Sequence, residues 1–273
     1  MEIFGIPSQA LFGQLLIGLI NGSFYALLSL GLAVIFGLLN IINFTHGAQY
    51  MLGAFVAYLS LTKLGINYWV SLIVTPILVG ATGMVIERTM LKRLYKLDHL
   101  YGLLLTFGLA LTIEGSFQWK WGSSGAPYPS PIPGGTNLGF MFLPIYRGWV
   151  VIASLAVCLA TWFLIERTKL GAYLRAATEN PSLVQAFGIN VPRMIFYTFA
   201  INAILAAAAA LLVTPTYLAK FDMGESLGNK AFFAAIIGGI SGWIILSTTE
   251  LGSFAGRIET TEDHVRFYFN KTL

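Results

Sequence analysis

Long apolar runs without charge alternate with short polar stretches along this chain. Residues 3–62, 148–165 and 194–219 contain no Asp, Glu, Lys or Arg. A helix that crosses a bilayer needs about 20 mostly apolar residues, so runs of this length predict membrane-spanning helices. The first run is long enough for two or three segments, which we expect to be separated around Asn40–Gly47. The other predicted spans cover residues 68–87, 100–118, 149–166, 194–218 and 231–247.

This pattern predicts an all-α fold, a polytopic membrane helix bundle with about seven or eight transmembrane segments. The composition agrees, because 56% of the residues are hydrophobic and 10% are charged, against about 25% charged residues in soluble domains. The predicted membrane domain covers 1–249, and 250–273 form a polar tail. Small residues let helices approach closely in lipid. We assign to helix packing the set Gly18, Gly22, Gly80, Gly83 and Ala206–Ala210.

Basic residues in the connecting loops predict the orientation, because loops rich in Lys and Arg stay on the cytoplasmic side. The loops 88–99 and 167–193 carry four basic residues each, and the opposite side carries five in total. Both loops are therefore predicted to be cytoplasmic. The proline-rich loop 119–148 is then an outer, extended and turn-rich segment, either a connector or a docking surface. The side of the N-terminus stays open, since it depends on the number of passes before residue 62.

The sequence lacks the motifs of common enzymes. It contains no G-x-x-x-x-G-K-[ST] phosphate loop, no H-E-x-x-H motif and no nucleophile elbow, and its single cysteine, Cys158, lies in an apolar run. We therefore predict no catalytic residue, no metal site and no cofactor held by this chain. The net charge is +4, and the basic residues lie at the ends of apolar runs. This distribution indicates a lipid bilayer and no nucleic acid as the partner.

A polar cluster interrupts the first apolar run. It contains Asn43, Thr45, His46 and Gln49, with Gly47 among them. Polar side chains and freed backbone groups at membrane depth are tolerated only where protein or a water-filled cavity surrounds them. One interpretation is a broken helix that lines a translocation path. The other is a set of helix-end caps and interhelical hydrogen bonds, and the sequence leaves both open.

The polar segment 167–193 has the signals of a short helix. Thr178 or Asn180 is able to cap it, Pro181 suits its first turn, and Gly188 suits a left-handed end. The predicted helix covers 182–187 and has an apolar edge. Such a helix either inserts into a groove on another protein or folds back on the helix ends of its own chain.

Three motifs carry a resemblance to a known family. INFTHGAQYMLGA, LGAYLRAATENPSLVQAFGIN and KAFFAAIIGGISG resemble the LivH-type permeases of bacterial branched-chain amino acid ABC importers, in order, from about residue 10 to Gly242. The resemblance implies a permease like those of type II ABC importers, in the bacterial cytoplasmic (inner) membrane. It implies alternating access driven by a separate ATPase that uses ATP and Mg. It also implies a paralogous second permease and an extracytoplasmic amino-acid-binding protein.

The resemblance also assigns roles to residues. In the family, the segment that matches Leu174–Ile189 is the cytoplasmic coupling loop that inserts into the ATPase. The coupling candidates are then Arg175, Ala176, Thr178, Glu179, Asn180, Gly188 and Ile189. The translocation-path candidates remain Asn43, Thr45, His46, Gly47 and Gln49.

The C-terminal part departs from the family pattern. After IIGGISG the family continues with P-G-A and a further span, whereas residues 250–273 hold seven charged residues and no span. We interpret this as a frameshift, an early stop or a replaced terminus, with a genuine cytoplasmic tail as the alternative. The rival functions are a permease of the same class for a sugar, urea or another amino acid, a secondary transporter, and a non-transporting product of a damaged gene. Glu114 is an ionisable residue inside a predicted span, and we interpret it as an interfacial acid, which weakens the secondary-transporter alternative.

Overall fold

The computed structural model describes residues 2–3, 6–39, 43–95, 97–139, 141–248, 257–261 and 264–268. The helices in these ranges are α1 (Ser8–Leu39), α2 (Thr45–Leu64), α3 (Tyr68–Thr89), α4 (His99–Trp121), α5 (Ile145–Arg167), α6 (Lys169–Glu179), α7 (Pro181–Ala186), α8 (Val191–Val213) and α9 (Met223–Thr248), with a short 3-10 turn at Leu91–Arg93. The short strands are β1 (Glu2–Ile3), β2 (Ile6–Pro7), β3 (Gly135–Asn137), β4 (Phe142–Pro144), β5 (Arg257–Thr261) and β6 (His264–Tyr268).

The predicted membrane helices are confirmed as helices. Within the described residues, five segments are long and apolar enough to cross a membrane, and this identifies a multi-pass membrane protein. They are Gln9–Ile35, Tyr68–Arg93, Leu100–Trp121, Ile145–Arg167 and Val191–Val213. The first apolar run folds as two helices, α1 and α2. The predicted break between them falls partly on residues 40–42, which lie outside the described residues.

The bundle core forms around α8, which packs against α1, α2 and α3. Gly53 of α2 approaches Ala207 so closely that a Cβ at Gly53 would lie 2.7 Å from the Ala207 Cα. A Cβ at Gly83 of α3 would lie 2.7 Å from the Ala203 Cβ. The predicted packing role of Gly83 and of the alanine run is therefore confirmed. Gly18 and Gly22 differ, because no described atom lies within 4 Å of a Cβ built at either position.

In the unit that ends at Phe232, the segments that connect the helices lie at two opposite ends of the helix bundle. At the end that we call the β3 end, Ala126 pairs with Ala219 across two loops, and the Tyr68 and Tyr146 hydroxyls lie 3.1 Å apart. At the other end, which we call the α7 end, Arg88 of the first basic loop and Arg193 line one cavity. The two basic loops thus lie together, as expected from a common side. The proline-rich loop between α4 and α5 is extended, and its strands β3 and β4 pair antiparallel.

The chain divides into two units, Met1–Phe232 and Phe233–Leu273. The second unit contains the later part of α9 and the antiparallel pair β5–β6, whose register runs from Arg257 opposite Tyr268 to Thr261 opposite His264. This strand pair lies in the predicted polar tail and adds β structure to a fold class predicted as all-α. The rest of that tail, residues 250–256, 262–263 and 269–273, lies outside the described residues. The proposed boundary after residue 249 stays a prediction.

Candidate functional site

The segment between α5 and α8 folds as two consecutive helices, α6 and α7. The Asn180 side chain accepts a hydrogen bond of 3.0 Å from the Leu183 backbone N–H, and Pro181 occupies the first turn of α7. Gly188 follows with φ of 80°, a left-handed conformation that favours glycine. The predicted cap, proline and glycine are therefore confirmed with Asn180 as the capping residue. The alternative capping side chain, Thr178, lies outside the described side chains.

The apolar edge of α7 divides into a buried part and an exposed part. Val184 is buried and packs against Ala177 of α6 and Val191 of α8. Leu183 and Phe187, in contrast, are 54% and 77% exposed. Val184 thus folds back on its own chain, whereas the large side chains of Leu183 and Phe187 face outward, and insertion of this helix into a partner stays a prediction.

The predicted coupling residues occupy different environments. Arg175 faces its own chain, since its guanidinium donates a 2.7 Å hydrogen bond to the Ile165 carbonyl and lies 3.4 Å from the Glu166 carboxylate. Ile189 is half-buried against the small cluster that holds Val184. The remaining described candidates are exposed, namely Ala176, Glu179, Asn180 and Gly188. The outward surface of the segment is therefore formed by α7 and the α6–α7 junction, and Arg175 positions α6 against α5.

The second predicted site begins where α2 begins, inside the bundle. The Phe44 backbone N–H donates a 3.3 Å hydrogen bond to the Thr106 hydroxyl, and the Phe44 and Phe107 rings meet edge to face. Thr106 lies about 10 Å along α4 from its first residue, at 1.5 Å per residue. The first turn of α2 is thus level with the interior of α4.

The polar residues of this turn are partly satisfied within the protein. The Asn43 side-chain oxygen accepts hydrogen bonds from the backbone N–H and the hydroxyl of Thr45, the first residue of α2. His46 Nε2 lies 3.0 Å from the Leu28 carbonyl of α1. Asn202 of α8 donates a 3.2 Å hydrogen bond to the Gln49 side chain. Three side-chain nitrogens of this cluster are nevertheless buried without a hydrogen-bond partner among the described residues, namely Asn43 Nδ2, His46 Nδ1 and Gln49 Nε2.

Gly47 sits at a backbone contact between α2 and α9. A Cβ at Gly47 would lie 2.5 Å from the Gly224 carbonyl oxygen, and a Cβ at Gly224 would lie 2.4 Å from the Gly47 carbonyl oxygen. Real Cβ atoms do not approach backbone so closely, because of steric repulsion. The two glycines therefore allow the first turns of α2 and α9 to cross in direct contact.

Two cavities open on either side of this crossing. The smaller one, of about 250 Å³, is lined by Asn43, His46, Gly47 and two acids, Glu114 and Glu225. Of the predicted path residues, Asn43, His46 and Gly47 therefore share one cavity, while Thr45 and Gln49 are buried in hydrogen bonds. Glu114, interpreted from the sequence as an interfacial acid, borders this cavity.

The larger cavity, of about 560 Å³, has a lining that the sequence reasoning missed. Ser226 and Lys230 line it from the start of α9, and Lys220 and Asp222 line it from the segment before α9. The sequence signal that could have revealed this lining is the spacing of Ser226 and Lys230, because residues four apart share one helix face. Glu225 and Asn229, which are also four apart, face the smaller cavity instead. The start of α9 thus presents one polar face to each cavity, with Gly224 between them.

Comparison with known proteins places these features in a family. A family model described as "Branched-chain amino acid transport system / permease component" matches residues 14–258. The resemblance inferred from the three motifs is confirmed, and the match continues beyond Gly242. No solved structure matches this chain significantly.

Individual relatives agree with the family match. The high-affinity branched-chain amino acid transport system permease protein BraD of Pseudomonas aeruginosa is 29% identical, over 83% of this chain and 78% of its own length. The permease protein LivH of the same kind of system in Salmonella typhimurium is 29% identical, over 93% of this chain and 89% of its own. The probable branched-chain amino acid transport permease protein LivH of Methanocaldococcus jannaschii is 30% identical, over 81% and 72%.

Proposed function

Because this chain belongs to the family of branched-chain amino acid transport system permease components, we propose that it forms part of the membrane path of an ABC importer for branched-chain amino acids. Relatives that bear this description are permease subunits, which do not catalyse a reaction themselves. The cargo is inferred from the names of the relatives. A secondary transporter is disfavoured, since these relatives are components of multi-subunit systems.

We further infer the topology from the arrangement of the helices. Seven long helices, α1–α5, α8 and α9, would cross the cytoplasmic (inner) membrane. The permease class would be that of type II ABC importers. The α7 end would face the cytoplasm, because the two loops with four basic residues each meet there. The N-terminus would then lie outside together with the β3 end, since α1 runs from the larger cavity toward α6.

The observation that carries the proposal is the exposed apolar edge of α7. Phe187 is 77% exposed at the end of a capped helix, between two fixed points, Asn180 and Gly188. A rigid helix that presents a large aromatic side chain is suited to insertion into a groove on a partner. We assign this groove to a cytoplasmic ATPase, which would use ATP and Mg on its own chain. The paralogous permease and an outer amino-acid-binding protein would complete the importer.

The test is capture of the ATPase by the tagged full chain from its native membranes. We expect the wild-type chain to co-purify an ATP-binding-cassette subunit, and Phe187→Ser to reduce its recovery at least about tenfold, as loss of a central aromatic contact does. Phe142→Ser is the matched control, because Phe142 is 63% exposed at the opposite end. Equal recovery with Phe187→Ser and Phe142→Ser would refute the assignment of α7 as the coupling helix.

A second measurement tests the cargo. Leucine, isoleucine and valine uptake by cells that depend on this chain should exceed uptake of ribose and urea. Uptake of a sugar or urea in place of the branched-chain amino acids would contradict the proposed cargo and favour a permease of the same class for another solute.

A further inference from the structure

The larger cavity brings charged groups against α1 and α8, two of the helices that are long and apolar enough to cross a membrane. Lys230 lies seven residues into α9, about 10 Å below its first residue. Lys220 and Asp222 line the same cavity from the segment before α9. Among the described residues, none of these three forms an ion pair, so their charges are available to a solute.

The wall of the cavity contains a buried polar group without a partner. Tyr50 of α2 is 1% exposed, and its hydroxyl has no hydrogen-bond partner in the described part of the chain. The Thr216 hydroxyl, on the same cavity, is also buried and unpartnered. A buried hydroxyl without a hydrogen bond is energetically unfavourable, because it has lost its bonds to water. Two such groups on one cavity therefore indicate a site that is completed by a polar ligand or by water.

The rest of the wall is apolar. Phe24 and Leu28 of α1, Val213 at the end of α8 and Met223 are all buried and line the cavity. This apolar surface lies within the same 560 Å³ as the charged groups, a volume in the range of small-molecule sites. The lining is therefore matched to a small ligand that has an apolar part and charged groups of both signs.

We propose that the larger cavity is a binding site for the zwitterion of a branched-chain amino acid. The Lys220 and Lys230 ammonium groups would receive the carboxylate, the Asp222 carboxylate would receive the ammonium group, and the Tyr50 hydroxyl would add a hydrogen bond. Phe24, Leu28 and Val213 would contact the branched side chain. A simple anion would leave Asp222 unmatched, and a neutral sugar would leave all three charges unmatched. The inference rests on the proposed function, because the cargo class comes from it.

The test is equilibrium binding of radiolabelled leucine to the purified full chain in nanodiscs. Lys230→Gln and Asp222→Asn should each weaken leucine binding at least about tenfold, because each removes a hydrogen bond between oppositely charged groups. Lys63→Gln is the matched control, because Lys63 lies at the same end, in the last turn of α2, and lines neither cavity. Thermal unfolding of each variant verifies that the fold is kept.

Two leucine analogues separate the roles of the charges. Leucinol keeps the ammonium group and lacks the carboxylate, so Lys230→Gln should not weaken its binding. 4-Methylpentanoate keeps the carboxylate and lacks the ammonium group, so Asp222→Asn should not weaken its binding. If both folded variants bind leucine as the wild-type chain does, or if the wild-type chain binds no leucine at millimolar concentration, the inference is overturned.

Uptake distinguishes failure of this inference from failure of the proposed function. Leucine uptake is measured in the complete importer with the wild-type chain, Lys230→Gln and Asp222→Asn. Equal uptake with all three would overturn the proposed binding site and leave the permease role intact. Absence of branched-chain amino acid uptake with the wild-type chain would instead overturn the proposed function. Reduced uptake in the two variants, with Lys63→Gln unaffected, is the expected result.

Discussion

Gly47 and Gly224 allow α2 and α9 to cross in direct backbone contact. The distance from a Cβ at either glycine to the opposite carbonyl oxygen would be 2.5 Å or less. The close approach brings the start of α9 against the start of α2 and separates two polar cavities. Gly18 and Gly22 have the same spacing as many packing motifs, but no other described part of the chain lies within 4 Å of a Cβ built at either position. Identical residue types therefore have different roles that depend on the facing helix.

At this scale we predict that Gly224→Ala destabilises the chain, whereas Gly22→Ala does not. The added methyl group at Gly224 forces the two backbones apart, and overpacking of this kind costs about 1–3 kcal/mol. At Gly22 the methyl group meets open space, and alanine favours helix by about 1 kcal/mol relative to glycine. Unfolding of the detergent-solubilised variants measures the difference. An equal loss of stability in both would disprove the role of the α2–α9 crossing.

A second residue-scale prediction concerns Asn180. Its side chain caps α7 through the Leu183 N–H, and loss of such a cap costs about 1 kcal/mol. Asn180→Ala should therefore increase hydrogen exchange of the α7 amides several-fold, with α3 unchanged as an internal reference. Unaltered exchange in α7 would show that tertiary contacts alone hold this helix.

At the scale of elements, α7 is a six-residue helix whose apolar residues lie in two different environments. Val184 ties it to α6 and α8, while Leu183 and Phe187 face outward. A helix this short is not stable by itself in water. Its order therefore depends on the buried contact and on the caps at Asn180 and Gly188.

The matching prediction compares two neighbouring apolar residues of α7. Val184→Ser removes buried apolar contacts and should expose residues 180–190 to limited proteolysis in the intact chain. Leu183→Ser, at a 54% exposed position, should keep the protease resistance of the wild-type chain and weaken recovery of the ATPase. Equal protease sensitivity of the two variants would contradict the division of the α7 edge.

At the scale of the whole molecule, the two predicted partner surfaces lie at the α7 end and at the β3 end of the unit that ends at Phe232. The α5 helix connects them, since it begins beside β4 and ends at α6. With 23 residues, α5 extends about 34 Å, enough to cross a bilayer core of about 30 Å. Residues at its two ends should therefore lie on opposite sides of the membrane.

The single native cysteine permits a direct test of this topology. In a Cys158→Ala background, Gln185→Cys in α7 and Asn137→Cys in β3 should react oppositely with a membrane-impermeant maleimide on intact cells. We expect labelling of Asn137→Cys without permeabilisation and labelling of Gln185→Cys only after it. The reverse pattern would invert the orientation inferred from the basic loops.

Much of this architecture was predictable from the order of residues. The positions of α3, α4, α5, α8 and α9 follow from apolar runs whose length matches a bilayer, and the Asn180, Pro181 and Gly188 signals act within a few residues of chain. Arg175 was predicted as an interface residue by resemblance, and its 2.7 Å bond to the Ile165 carbonyl depends on how α6 folds back on α5. That contact is not encoded in any local pattern.

The sequence by itself determined the membrane class, the helices and the capped segment between α5 and α8, because the apolar length of a span and the capping of a helix end are local properties. Only the tertiary structure decided that Asn43, His46 and Gly47 share a cavity with Glu114 and Glu225. It also decided that Tyr50 faces Lys220, Asp222 and Lys230 across a second cavity. These groups are brought together by the crossing of α2 and α9, and the angle and depth of a helix crossing depend on which surfaces of distant segments fit.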